Sequence, residues 1–164
     1  MDSDSPLLIC YDGSENAKYA IERAGVLLGR RPAVVVTVWQ ATADLGITDW
    51  LDVPASVVNF VELDRAAAEG GGRLAEEGVR IAREAGLEAD AFAVKAAGPV
   101  WKTILEVAES RDAAAIVMGS RGLAGIRSIL LGSVSNAVVH HAERPTLVIH
   151  VPASDAAHAH EQPG

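Results

Sequence analysis

The sequence predicts an α/β fold, an open parallel sheet of five strands with helices on both faces. Apolar runs of strand length alternate with segments of helical periodicity along residues 7–151. The best-defined runs are almost entirely apolar, which is typical of strands that are buried on both faces. Aromatic residues make up only 4% of the chain, so Ala, Val, Leu and Ile must build the core.

The first strand is predicted over residues 7–11, an apolar run that follows Pro6. The turn "DGSE" comes next. Ser14 is the predicted N-cap of the first helix, because its side chain can accept a hydrogen bond from a free backbone N–H. Gly29 is the predicted C-terminal stop of that helix. The second strand is predicted over residues 33–39.

A long segment over residues 40–57 follows the second strand and is predicted to form a lid or a wall of a site. The next helical pattern extends to residue 85. Gly70, Gly71 and Gly72 interrupt it, and each costs about 1 kcal/mol relative to Ala inside a helix, so a break or kink is predicted there. The third strand is predicted over residues 88–94.

The second half of the chain continues the alternation. A third helix is predicted to open at Pro99, a favoured first-turn residue. The fourth strand is predicted over residues 113–118, the next helix over residues 133–142 and the fifth strand over residues 146–151. Residues 1–152 are therefore expected to form a single domain, and residues 153–164 a disordered tail.

Composition and charge exclude several classes of protein. The net charge of −8 over 164 residues opposes binding to nucleic acid or to anionic lipid. No apolar run reaches the length of a membrane span, and the acidic N-terminus is unlike a signal peptide. Cys10 is the single cysteine, so no internal disulfide can form. We expect a cytoplasmic protein without nucleic-acid or membrane partners.

Two turns at strand ends indicate where a ligand would bind. "YDGS" follows the first strand and "MGSRG" follows the fourth. In open parallel sheets, ligands bind beyond the carboxyl ends of the strands, at the point where the strand order reverses. The strand order 3-2-1-4-5 would place these two turns on either side of that point.

The segment "MGSRGLAGIRSILLGSV" indicates a phosphate ligand. Its glycines allow close approach of backbone N–H groups, and Gly132 and Ser133 lie where a helix is predicted to begin. Residues 113–142 contain no Asp or Glu but include Arg121 and Arg127. No Lys precedes Ser133 and no G-x-G-x-x-G occurs, so this segment is neither a Walker loop nor the Rossmann fingerprint.

The spacing Gly119, Gly122, nine residues, Gly132-Ser133 resembles the G-2x-G-9x-G-S/T pattern of the ATP-binding branch of the universal stress protein family. "LLICYDGSENAKYAIERA", "AAAIVMGSRG" and "RPTLVIHVP" are similar to the family's first strand and helix, fourth strand and last strand. The resemblance implies that residues 1–152 form one universal stress protein domain. The implied fold is Rossmann-like, of the adenine-nucleotide alpha-hydrolase kind.

The resemblance also implies a site and an assembly. Asp12 and Val38 would hold the adenine end of ATP, and Met118 and Gly119 would lie along the nucleoside. The residues expected around the phosphates, with Ser133 and Ser135 donating from their hydroxyls, are Arg121, Gly122, Gly132, Ser133, Val134 and Ser135. Mg²⁺ is expected to accompany the phosphates. A homodimer through the final strand is implied, and an unspecified protein partner is expected.

Catalysis finds little support in the sequence. No Ser-His-Asp order, nucleophile elbow or metal-ligand cluster occurs, so the chain is expected to be no enzyme beyond slow ATP hydrolysis. Cys10 is expected to be an inert thiol, and His140 and His141 are expected to be surface or packing residues. The alternatives are a nucleotide-free dimeric interaction module of the same fold, and a slow ATPase or adenylyl-transfer enzyme. Cyclic AMP is an alternative ligand.

Overall fold

The computed structural model describes residues 5–41, 59–122 and 131–152. Five strands form one parallel sheet in the order β3-β2-β1-β4-β5, which confirms the predicted fold class. The strands are β1 (Leu7–Cys10), β2 (Pro32–Trp39), β3 (Glu88–Lys95), β4 (Ala115–Gly119) and β5 (Thr146–Ile149). The helices are α1 (Glu15–Leu28), α2 (Phe60–Glu84), α3 (Val100–Ser110) and α4 (Ser133–His141).

The sheet is centred on β1, where Leu7 is in register with Ala33 of β2 and with Ala115 of β4. Helices α1 and α2 cover one face of the sheet, and α3 and α4 cover the other. The chain therefore leaves β1 and β4 toward opposite faces, and a crevice opens between the two strand ends. Leu8 and Ile9 of β1 are both fully buried, one in each core, as the apolar runs predict.

The ends of α1 form as predicted. The side chain of Ser14 accepts a hydrogen bond from the backbone N–H of Ala17 at 3.2 Å. Gly29 ends the helix with φ +68°, a conformation that side-chain-bearing residues rarely adopt. Strand β1 ends at Cys10, one residue before the predicted end, although the N–H of Tyr11 still donates to the Val36 carbonyl at 2.9 Å.

The predicted break or kink at residues 70–72 is wrong, because α2 runs without interruption from Phe60 to Glu84. Its glycines serve packing. A Cβ at Gly71 would lie 3.1 Å from a ring carbon of Trp39, and one at Gly78 would lie 2.7 Å from Val35 and 2.9 Å from the Tyr11 ring. Bare backbone at these two positions lets α2 lie close against the sheet, and the favourable packing outweighs the low helix propensity.

The predicted fourth and fifth strands are shifted at their ends. Strand β4 starts at Ala115, two residues after the predicted start. The N–H of Ala113 donates to the Ala108 carbonyl near the end of α3, and the N–H of Ala114 donates to the Pro6 carbonyl, before β1 begins. Strand β5 ends at Ile149, whose carbonyl accepts the N–H of Ser120, the residue that follows β4. The predicted wall beyond Ala41 and the predicted tail at 153–164 lie outside the described residues.

Within residues 5–41, 59–122 and 131–152, no helix has both the length and the apolar character required to cross a membrane.

Candidate functional site

A cavity of about 700 Å³ opens at the carboxyl ends of β1 and β4. It lies where the strand order reverses, which is the place that the two glycine-containing turns indicate. All the residues that the sequence predicts for the site line this cavity: Asp12, Val38, Met118, Gly119, Arg121, Gly122, Gly132, Ser133, Val134 and Ser135.

Gln40, the first residue of the segment predicted as a lid or wall, also lines the cavity. Sequence reasoning missed the other residues of the cavity wall, which are Cys10, Tyr11, Ala17, Val36, Val100, Ile104 and Leu131. Most are apolar residues on the elements that surround the carboxyl ends of the strands. Their apolar character indicates burial equally well in the core or beside a ligand, so only the strand order could have placed them here.

One part of the cavity is apolar. Val36, Ile104 and Met118 are nearly fully buried in the core between the sheet and the helices α3 and α4, yet they also line the cavity. Val38 is partly buried beside them. Such a surface suits a flat, weakly polar group that buries apolar area on binding.

Cys10 lies in this apolar part. Burial, and to a smaller extent the negative charge of Asp12, raise the pKa of the Cys10 thiol to about 12. The thiol is therefore protonated at neutral pH, which makes it a poor nucleophile.

The opposite part of the cavity is formed by backbone, and two glycines are essential to its shape. A Cβ at Gly119 would lie 2.8 Å from the carbonyl oxygen of Asn16, and one at Gly122 would lie 2.6 Å from Oδ2 of Asp12. At Gly132, by contrast, φ is −68° and the nearest atom to a Cβ is the Cα of Arg121, at 3.5 Å. Close approach to backbone therefore requires glycine at position 119, and a side chain at position 122 would require the Asp12 carboxylate to move, whereas position 132 tolerates a side chain.

Unpaired polar atoms occur beside this backbone. Within the described part of the chain, Nε of Arg121, Oγ of Ser120 and Oδ1 of Asn16 are buried without a hydrogen-bond partner. A buried polar group without a partner costs about 1–3 kcal/mol. Of the three residues, Arg121 lines the cavity, so its unpaired Nε is the one that a polar ligand there could satisfy.

The turn after β1 has a fixed shape. Oδ1 of Asp12 accepts the N–H of Ser14 at 3.0 Å, which leaves Oδ2 toward Gly122. The hydroxyl of Thr37 donates to the Tyr11 carbonyl at 2.9 Å, and the Tyr11 hydroxyl donates to Glu77 of α2 at 2.8 Å. Bonds to β2 and α2 thus hold the turn that carries the only carboxylate in the described cavity wall.

The two serines at the start of α4 differ. Ser133 is exposed at the first position of the helix. Ser135 is nearly fully buried, and its hydroxyl lies 2.9 Å from the Ser120 carbonyl and 3.0 Å from the Gly132 carbonyl. The free N–H groups of the first turn of α4 give the cavity a positive partial charge.

The cavity wall fits a phosphorylated ligand better than a metal held by protein alone. Among the described residues, no group of three or more His, Cys, Asp or Glu side chains is placed to bind a metal ion. Asp12 offers one carboxylate oxygen, so a divalent cation here would take most of its ligands from phosphate oxygens and water.

The residues expected to be peripheral lie outside the cavity wall. His140 and His141 are exposed, and the His141 ring stacks on Trp101 with a centroid distance of 4.6 Å. Trp39, at the end of β2, packs against the backbone of α2 at Gly71. The Lys95 ammonium nitrogen lies 5.5 Å from the centroid of the Trp39 ring. Arg127 lies outside the described residues.

An open parallel sheet with helices on both faces and a ligand-sized cavity at its switch point defines an α/β protein with a Rossmann-like fold. The profile of the Universal stress protein family matches residues 5–150, and the chain belongs to that family. It is 27% identical over 154 residues to "Universal stress protein YxiE" of Bacillus subtilis. The alignment covers 87% of this chain and 97% of the relative.

Solved structures share the fold. The hypothetical protein MJ0577 superposes with a TM-score of 0.72 at 22% identity, covering 92% of this chain and 99% of that chain. A universal stress protein in complex with cAMP gives 0.63 at 20% identity, covering 92% and 100%. The universal stress protein from Archaeoglobus fulgidus in complex with dAMP gives 0.60 at 22% identity, covering 90% and 99%.

Proposed function

We propose that this chain binds ATP in the cavity between β1 and β4 and acts as a nucleotide-dependent regulatory or stress-response module. The observation that carries the proposal is the composition of the cavity wall, which is apolar on one side and formed by glycine backbone and a helix start on the other. A volume of about 700 Å³ lies within the range of small-molecule sites.

Each part of the ligand has a counterpart in the wall. The adenine would lie against Val38 and Met118, with Asp12 at its edge. The phosphates would lie at the first turn of α4, where Ser133 is exposed, and beside the Arg121 guanidinium, whose Nε is buried without a partner. A helix N-terminus favours an anion because its N–H groups and its dipole both attract negative charge.

Two structural neighbours support the choice of an adenine nucleotide. One is a universal stress protein in complex with cAMP, and the other is a universal stress protein in complex with dAMP. ATP is the proposed ligand of this chain because Gly122, Gly132 and Ser133 all line the cavity, and the spacing of the pattern glycines resembles that of the ATP-binding branch of the family. Mg²⁺ is proposed to bind with the ATP phosphates.

The proposed activity is binding rather than turnover. Hydrolysis of ATP needs a group that orients the attacking water. Asp12 is the sole carboxylate of the described wall, and its Oδ1 already accepts the Ser14 N–H. We therefore propose that any hydrolysis is slow and that the nucleotide acts as a signal to a protein partner. A cytoplasmic location is proposed from the single, unpaired cysteine.

A homodimer through β5 forms part of the proposal. The described sheet has two edges, and one carbonyl of the β3 edge is already occupied: Nε and Nη2 of Arg83 donate to the Ala89 carbonyl at 3.1 and 2.8 Å. At β5, the carbonyls of Pro145 and Ile149 accept hydrogen bonds from the N–H groups of Ile116 and Ser120, so these two residues face β4. Because successive residues of a strand direct their N–H and C=O groups to alternate sides, those of Val148 face outward. A strand edge with outward-facing N–H and C=O groups favours pairing with a second copy.

A thermal-shift series tests the proposal after any co-purified nucleotide has been removed. ATP with Mg²⁺ at 100 times the dissociation constant should stabilise the fold by about 2.7 kcal/mol, because ligand binds the folded state alone. Adenosine should stabilise it less, and ribose 5-phosphate or GTP with Mg²⁺ should have little effect. An equal shift with GTP would contradict the adenine assignment, and no shift with any nucleotide would contradict the proposed function.

A further inference from the structure

The backbone of Ser120 joins the cavity wall to the edge of the sheet. Ser120 follows β4 and is fully buried. Its N–H donates to the carbonyl of Ile149, the last residue of β5, at 2.9 Å. Its carbonyl accepts the N–H of Gly132 at 2.7 Å and the hydroxyl of Ser135 at 2.9 Å. One residue thus connects the start of α4 with the final strand through its two backbone polar groups.

The hydroxyl of Ser135 is engaged inside the protein. A serine hydroxyl has one hydrogen to donate, and both acceptors within reach are backbone carbonyls, those of Ser120 and Gly132. Ser135 is 3% exposed, so a ligand has little access to it. Ser133, by contrast, is exposed at the first position of α4.

Hydrogen bonds, rather than close contacts, fix the position of Gly132. Its backbone conformation is open to any residue, and a Cβ there would make only an ordinary contact, 3.5 Å from Arg121. The bonds from Gly132 and Ser135 to the Ser120 carbonyl therefore determine how the first turn of α4 is presented to the cavity.

We propose that Ser135 is a positioning residue and that the Ser120–Gly132–Ser135 clamp, meaning the two bonds to the Ser120 carbonyl, couples the nucleotide site to β5. This inference rests on the proposed function. Phosphate bound at the first turn of α4 restricts the motion of Gly132, and the bond from the Gly132 N–H then holds the Ser120 carbonyl in place. Ser120 moves less as a result, so its N–H separates from the Ile149 carbonyl less often and the edge strand responds to nucleotide.

Amide hydrogen exchange of Ser120 and Gly132, measured by NMR, tests the clamp in the nucleotide-free protein. Ser135→Ala should accelerate both exchange rates about fivefold, because one neutral hydrogen bond is lost. Ser135→Thr retains the hydroxyl and should restore rates close to those of the wild type. Ser133→Ala, the matched control, should leave these rates unchanged, although it removes a proposed phosphate donor.

The same amides test the coupling at saturating ATP with Mg²⁺. Nucleotide should slow exchange at Ser120 in the wild type and in Ser133→Ala, and should fail to do so in Ser135→Ala. Weaker ATP binding by Ser135→Ala with unchanged exchange in its nucleotide-free form would make Ser135 a direct ligand and overturn the inference. Equal slowing at Ser120 in Ser135→Ala would overturn the coupling.

Failure of the coupling and failure of the proposed function give different results. If Ser135→Ala does not fold, the wild type alone still decides, because unchanged Ser120 exchange on saturation with ATP contradicts the coupling. If the wild type binds no ATP, the proposed function fails, whereas the nucleotide-free exchange rates still test whether Ser135 holds Gly132 to Ser120.

Discussion

Gly122 and Asp12 face each other so closely that a Cβ on Gly122 would lie 2.6 Å from Oδ2 of Asp12. The contact joins the turn after β1 to the glycine segment after β4, the two turns that frame the cavity. It explains why the segment has bare backbone at this position: a Cβ would require the Asp12 carboxylate or the backbone to shift, and both line the cavity.

Gly122→Val should weaken ATP binding about tenfold to a hundredfold, because overpacking costs roughly 1–3 kcal/mol and the displaced groups line the site. Calorimetry measures the change. Gly72→Ala is the matched control, since a Cβ there meets nothing within 4 Å, and it should leave affinity unchanged. Wild-type affinity in folded Gly122→Val would contradict the role of this contact.

Gly78→Ala should lower the free energy of unfolding by about 1–3 kcal/mol, because its Cβ would overlap Val35 and the Tyr11 ring. Gly72→Ala, in the same helix and without such neighbours, should raise it by up to about 1 kcal/mol through helix propensity. Urea denaturation measures both. If Gly78→Ala were also stabilising, the close packing of α2 on the sheet would be wrong.

Removal of the Cys10 thiol should change the alkaline pH dependence of stability. The folded-state pKa is raised from 9.0 to about 12. The unfolded chain therefore ionises first, and the contribution of the buried thiol is complete below pH 9 and is lost as pH rises toward 12. The free energy of unfolding of Cys10→Ala should fall less steeply over this range, by up to about 1.4 kcal/mol per pH unit. Parallel curves would contradict the raised pKa.

Val148→Pro should convert the proposed homodimer to monomer, because proline removes an outward N–H from the β5 edge of the described sheet. Ala91→Pro is the matched control. The backbone N–H of Glu88 donates to the Arg31 carbonyl, so Glu88 faces β2. Because successive residues of a strand direct their N–H and C=O groups to alternate sides, Ala91 faces outward, at the β3 edge of the sheet. Analytical ultracentrifugation should find Ala91→Pro dimeric, and a dimer that persists in Val148→Pro would place the interface elsewhere.

The sheet could be predicted from sequence because its central strands are buried on both faces. Leu8 and Ile9, and their neighbours on β2 and β4, leave no polar position that a half-exposed strand would have. The glycines of α2 could not be interpreted in the same way. Gly71 and Gly78 are required by Trp39 and Tyr11, which are distant in sequence, so local propensity alone predicted a break.

The residues of the candidate site could be predicted from sequence, but the different roles of its two serines could not. Strand order and turn sequences bring the predicted residues to one cavity, since parallel strands end at one edge of the sheet. The difference between Ser133 and Ser135 was not predictable. Both are serines in the first turn of α4, and only the tertiary contact with Ser120 distinguishes an exposed hydroxyl from one that is engaged in the protein.

Calorimetric titration of ATP with Mg²⁺ into the nucleotide-free, folded protein tests the central claim most directly. Binding with a stoichiometry of one nucleotide per chain is expected, since one chain supplies both turns and the helix start that line the cavity. Absence of heat at any attainable concentration, from protein shown to be empty and folded, would contradict an ATP site between β1 and β4.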